Sequence, residues 1–181
     1  MNKRFSLGSV LDIAVYGILA AIMAVLQTTL MHRIPVYGAI ADIVIGAVCC
    51  IGIYRGENTA AAFGLFAGLC VDALGTTGVS LLPLFYTLTG YVCGRIGTNA
   101  REGARFTAYL ITVPFLCLAR TLFSLLNHII NYFGDIDFGI LFLYILLPEL
   151  LYTAVVCIPV FIIVKFFEIP VIIARKRGGL Y

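Results

Sequence analysis

Six long apolar runs, joined by connections too short to fold by themselves, constrain this chain more than any motif in it. A helix that crosses a bilayer needs about 20 apolar residues, with roughly 17 to 25 tolerated. The runs predict spans at Leu11–Leu30, Val36–Tyr54, Thr59–Leu74, Val79–Ile96, Phe106–Leu126 and Ile140–Val164. The third is short and rich in small residues, so it is expected to lie among other helices rather than in lipid. Composition agrees: 62% of residues are hydrophobic and 12% charged, whereas a soluble domain carries about 25% charged residues. A water-soluble globule of 181 residues would have to expose much of that apolar surface. The expectation is an all-α integral membrane protein, with residues 1–181 forming a single six-helix transmembrane domain. The first run is too long for a signal peptide and no small-x-small cleavage site follows it, so it should remain as an anchor.

Orientation follows from the basic residues. With the N-terminus cytoplasmic, the inner connections hold Lys3, Arg4, Arg55, Arg95, Arg101, Arg105, Lys165, Arg175, Lys176 and Arg177. The outer connections hold Arg33, and Arg120 lies within a span. Both termini are therefore expected in the cytoplasm. The net charge of +3 is too small and too dispersed for a nucleic-acid surface. Arg175-Lys176-Arg177 reads as a topogenic cluster beside anionic lipid.

Two patterns inside the spans stand out. Ala60, Gly64, Gly68 and Asp72 recur every four residues, and Gly90 with Gly94 repeats that spacing in the fourth span, as Gly17 with Ala21 does in the first. Such stripes let backbones approach closely, which drives helix association where lipid supplies no hydrophobic force. They predict packing inside the bundle or, if the Gly64/Gly68 face is exposed, a seat for a partner's helix. The second pattern is a polar layer in the outer half, comprising Gln27, Asp42, Asp72, Arg120 and Glu149. Each ionisable group there is costly unless paired or wet. Depths counted along the helices suggest an Arg120–Glu149 pair, with Pro148 freeing a backbone carbonyl as a further acceptor. Asp72 can equally sit at a solvated helix end, and Asp12 and His128 read as interfacial.

Catalytic motifs are missing where their chemistry would require them. A phosphate-cradling G-x-x-x-x-G-K-[ST] loop is absent, as is a G-x-S-x-G elbow. The carboxylates form no D-x-x-x-D cluster, and two scattered histidines do not make a zinc site. Ser124 and His128 lie one helical turn apart without an orienting acid. The six cysteines fall inside apolar runs with no C-x-x-C pair, and read as small hydrophobes packed between helices. No catalytic residue, cofactor or metal is expected.

The stretch from the second through the fourth span resembles the MreD family of rod shape-determining membrane proteins. The residues that carry the likeness are Asp42-Ile43-Val44-Ile45 and Arg55-Gly56. They continue through Gly64-Leu65-Phe66-Ala67-Gly68-Leu69-Cys70-Val71-Asp72 and Tyr86-Thr87-Leu88-Thr89-Gly90-Tyr91. In that family an apolar helix opens with a polar or acidic residue after a proline, ends in an Arg-Gly turn and leads into a G-x-x-x-G-L-x-x-D helix. The Gln27-Thr28-Thr29-Leu30 end of the first span is also similar. Here Ala41 precedes Asp42 and the nearest proline is Pro35, a departure from the pattern. The likeness covers roughly residues 25 to 95, and the last two spans hold no matching motif.

The resemblance implies a non-catalytic, multi-pass protein of the bacterial cytoplasmic membrane that belongs to the cell-elongation machinery. It would bind the single-span protein MreC and connect RodA and its penicillin-binding partner to cytoplasmic MreB filaments, with no small-molecule ligand. The family's bundle also resembles the substrate-binding subunits of energy-coupling-factor vitamin transporters, which supplies the alternative. Such a subunit holds a vitamin at the depth of the polar layer and relies on a separate ATPase. This chain has no tryptophan and no outer-loop cluster suited to vitamin capture, so the scaffold is preferred.

Overall fold

The computed structural model of the chain describes residues 7–35, 40–75, 81–100, 102–131 and 147–178. Every regular element among them is helical. In chain order these are α1 (Leu7–Thr29), a 3-10 turn (Met31–Arg33), α2 (Ile43–Arg55), α3 (Glu57–Leu74), α4 (Leu82–Asn99), a second 3-10 turn (Glu102–Ala104), α5 (Arg105–Asn131) and α6 (Leu147–Gly178).

Local chemistry sets the boundaries. Asp42 is extended (φ −102°, ψ 96°), and its carboxylate accepts the Val44 and Ile45 N–H groups that the first turn of α2 leaves free. Helix α2 therefore begins at Ile43, not at Val36 as the unbroken apolar run suggests. Gly56 alone joins α2 to α3, at φ 88° and ψ 177°, a region essentially open only to glycine. Its N–H donates to the Gly52 carbonyl and its own carbonyl accepts from Ala60, so the end of one helix and the start of the next share a residue. Pro83 opens α4, where its missing N–H costs nothing.

Helix α2 is the axis of the bundle. Every residue from Ile43 to Ile53 is buried, as its all-round hydrophobicity requires. Helices α3, α4, α5 and α6 pack on it, while α1 docks mainly against α3. At 1.5 Å per residue α2 is only about 20 Å long. Among the described residues two helices, over Arg105–Phe123 and Leu147–Phe166, are long and apolar enough to cross a membrane by themselves, and Ala14–Thr29 and Ile43–Arg55 are shorter apolar segments. The six expected spans correspond to six helices of unequal apolar length, because α2 is cut short by its cap and α3 and α4 carry polar and small residues on their faces. The outer faces remain apolar: Ile18 is 62% exposed, Ile111 70%, Phe115 72% and Phe166 71%.

The small-residue stripe lies inside. A Cβ on Gly64 would collide with the Tyr86 carbonyl, one on Gly90 with the Ala60 carbonyl and one on Gly94 with the Glu57 backbone. On Gly68 it would fall 2.5 Å from the Pro83 Cα. Ala60, Gly64, Gly68, Gly90 and Gly94 are the two sides of one α3–α4 contact, all buried. This corrects the expectation that the Gly64/Gly68 face receives a partner's helix: α4 already occupies it. Gly17 on α1 is looser, its Cβ position being 4.0 Å from the Phe66 ring.

Candidate functional site

The polar residues that converge do so around Asp42, which is 3% exposed. Its Oδ1 accepts from Val44 N at 3.1 Å and Ile45 N at 3.2 Å. Its Oδ2 accepts from the Tyr86 hydroxyl at 2.6 Å and from Arg120 Nε at 3.0 Å. The Asp42 N–H in turn donates to Thr153 Oγ1 at 3.1 Å. Gln27 secures the same corner: its Nε2 donates to the Ala41 carbonyl at 2.9 Å, and its Oε1 accepts from Ile43 N at 2.9 Å. Five helices (α1, α2, α4, α5 and α6) each place one side chain or cap here.

Helix geometry brings the charges together. Asp42 lies about 20 Å along α2 from Arg55, and Arg120 about 22 Å along α5 from Arg105, so both reach the same height. Arg120 is mostly buried, its side chain 19% exposed, and its guanidinium also lies 5.9 Å from the Phe85 ring centre. Ion-pair contact is with Asp42 and not with Glu149, which corrects the pairing expected from depth alone. Glu149 is half-buried in the first turn of α6, near enough for its charge to act on Arg120 but outside ion-pair distance. A carboxylate there is favoured by the helix dipole. Asp72 is half-buried near the end of α3 and takes no part in the cluster.

Chemically the arrangement is closed. Two backbone donors, one hydroxyl and one guanidinium occupy both oxygens of Asp42, leaving no free lone pair aimed at a ligand or proton. Fully satisfied buried networks rigidify a core and specify one packing. Among the described residues no group of three or more His, Cys, Asp or Glu is placed to hold a metal. The six cysteines are free thiols, Cys49, Cys50, Cys93, Cys117 and Cys157 buried and Cys70 half-buried. The side chains of Asp12, Ser124, Asn127, His128 and Arg175-Lys176-Arg177 lie outside the described residues.

Tyr86 and Thr153 are the members that sequence reasoning missed. A signal existed for Tyr86, because a tyrosine hydroxyl inside an apolar span needs a hydrogen-bond partner. Thr153 had none beyond its spacing of one turn from Glu149.

The opposite end of α2 holds a second polar group. Arg55 Cζ lies 5.4 Å from the Tyr16 ring centre and Arg105 Cζ 5.5 Å from that of Tyr54. Arg95 pairs with Glu57 at 3.4 Å. Compared with known proteins, the chain matches no family model, no curated protein and no solved structure.

Proposed function

We propose that the chain is a non-catalytic membrane scaffold of the MreD type, crossing the bacterial cytoplasmic membrane six times with both termini on the cytoplasmic side. In this reading it binds the single-span protein MreC and holds RodA and its penicillin-binding partner in register with MreB filaments. The observation that carries it is the closed state of Asp42, whose two oxygens meet four protein donors. A charged residue spent on bracing helices suits a rigid platform, whereas a substrate subunit needs polar groups held open to its ligand. The apolar outer faces of α1, α5 and α6 support membrane immersion, since water would solvate them poorly. Helices α2, α3 and α4, too short or too polar to cross alone, then span as a group. Their backbone groups are bonded internally and α2 is shielded by the helices around it.

The vitamin-transporter subunit remains the second reading, favoured by Glu149, a charged residue near the cluster that makes no ion pair with any described residue. Depletion of the chain from its host separates the two. The scaffold reading expects elongating cells to become round, with no relief from added vitamins. Growth arrest relieved by one vitamin would refute it and favour the transporter subunit.

A further inference from the structure

Among the described residues Arg105 has no acceptor for its N–H groups. Its guanidinium lies on the Tyr54 ring, a contact that fixes the plane of the group and uses none of its N–H donors. It makes no hydrogen bond or ion pair with any described residue, and its Nε is buried without an acceptor. Native structures rarely leave such a donor unsatisfied, and an absent ion or ligand is one of the ordinary reasons. Glu57 pairs with Arg95 at 3.4 Å without a hydrogen bond to its Oε2, and it is not within ion-pair distance of Arg105.

The surroundings indicate which acceptor fits. Among the described residues this end of the bundle holds Arg55, Arg95, Arg105 and Lys165 against Glu57, so an anion is drawn to it. Lys165 is exposed on α6 one turn beyond Phe161, whose ring lies 5.3 Å from Phe106 and 6.0 Å from Tyr54. It therefore lies toward the same end of the bundle as Arg105, on the neighbouring helix. Away from the charges, Phe106, Leu110 and Ile162 are 47%, 43% and 50% exposed along α5 and α6. A free phosphate would use the guanidinium but not that apolar track. A phospholipid would use both.

We propose that Arg105, seated on Tyr54 and seconded by Lys165, binds the phosphodiester of an anionic phospholipid whose acyl chains lie along the exposed faces of α5 and α6. A planar guanidinium can meet two phosphate oxygens at once, and basic sites between helices at a cytoplasmic surface suit anionic head groups. The proposal rests on the membrane reading above.

The test is lipid binding to the full-length chain in a nonionic detergent, read by native mass spectrometry. Phosphatidylglycerol, phosphatidylcholine and inorganic phosphate are the probes. The wild type should retain phosphatidylglycerol at least tenfold more tightly than phosphatidylcholine, and millimolar phosphate should not displace it. Arg105→Gln should abolish that preference, Arg105→Lys and Lys165→Gln should weaken it, and Arg95→Gln should leave it intact. Equal binding of the two lipids, full displacement by phosphate, or an unchanged preference in Arg105→Lys and Lys165→Gln would each overturn the site. Should Arg105→Gln fail to fold, the other two substitutions decide. Alkaline extraction of native membranes separates this failure from that of the parent reading. A chain released by carbonate would sink the membrane assignment itself, whereas a retained chain that ignores lipid charge would sink only the site.

Discussion

Replacing Asp42 by Asn removes the buried ion pair while keeping the cap of α2. Asparagine is nearly as good an N-cap as aspartate, so the bonds from Val44 and Ile45 survive and α2 still starts at Ile43. The loss is the charge opposite Arg120, 3.0 Å away, together with the Oδ2 acceptor that Arg120 and Tyr86 share, since an amide NH2 stands in its place. Removing one partner of a buried pair costs about 3–5 kcal/mol, because the other charge is left uncompensated. The 19% exposure of Arg120 lets water recover part of that, which puts the expected cost near the bottom of the range, about 3 kcal/mol. Asp42→Ala should cost roughly 1 kcal/mol more, since the cap goes too. Pairing Asp42→Asn with Arg120→Gln removes both charges, so the double variant should be more stable than the sum of the single losses, by about 2–3 kcal/mol of coupling. Reversible unfolding in mixed micelles measures all three. Additive single losses, with no coupling, would refute the claim that these two groups brace each other.

Other consequences are as specific. Tyr86→Phe deletes a hydroxyl bonded to a carboxylate at 2.6 Å and should cost about 1.5–3 kcal/mol in the same assay. Gly64→Ala or Gly90→Ala drives a methyl into a backbone carbonyl, so α3 and α4 must separate at a cost of about 1–3 kcal/mol or more, while Gly17→Ala, with 4.0 Å of room, should be near neutral. A thermal-unfolding series in detergent ranks them, and equal midpoints for Gly17→Ala and Gly90→Ala would contradict the packing described. Gly56→Ala has space, its nearest neighbour being Thr98 at 3.8 Å, but not the backbone freedom, and should lose about 1–3 kcal/mol. A neutral result there would mean the α2–α3 turn relaxes to another conformation.

Much of the fold was legible because lipid-like patterning is coarse. Four of the six helices (α1, α3, α4 and α5) both begin and end within about five residues of the apolar runs that predict them, and the Gly-x-x-x-Gly spacing in α3 and α4 marks a close backbone contact. What the stripe could not reveal is what fills it, since a neighbouring helix and a foreign one make the same demand for small residues. The second run misled because hydrophobicity does not register a cap: nothing apolar changes at Asp42, yet its carboxylate ends the extended segment and starts α2. The cap also decides the ion pair. A helix unbroken from Val36 would set Asp42 deeper than Arg120 and leave Glu149 as the better match in depth. Once α2 starts at Ile43, Asp42 rises to the level of Arg120 and displaces Glu149. Tyr86 and Thr153 could be assigned only after α4 and α6 were placed against α2, because the partners are far apart in sequence.

The central claim, a scaffold for other membrane proteins, is tested most directly by affinity purification of the tagged chain from its host in gentle detergent, with mass spectrometry of what accompanies it. The account predicts recovery of MreC together with the cell-wall synthesis enzymes. Recovery instead of paired ATPases and their coupling subunit would contradict it, and would turn attention to Glu149 and the outer half of the bundle as a substrate site.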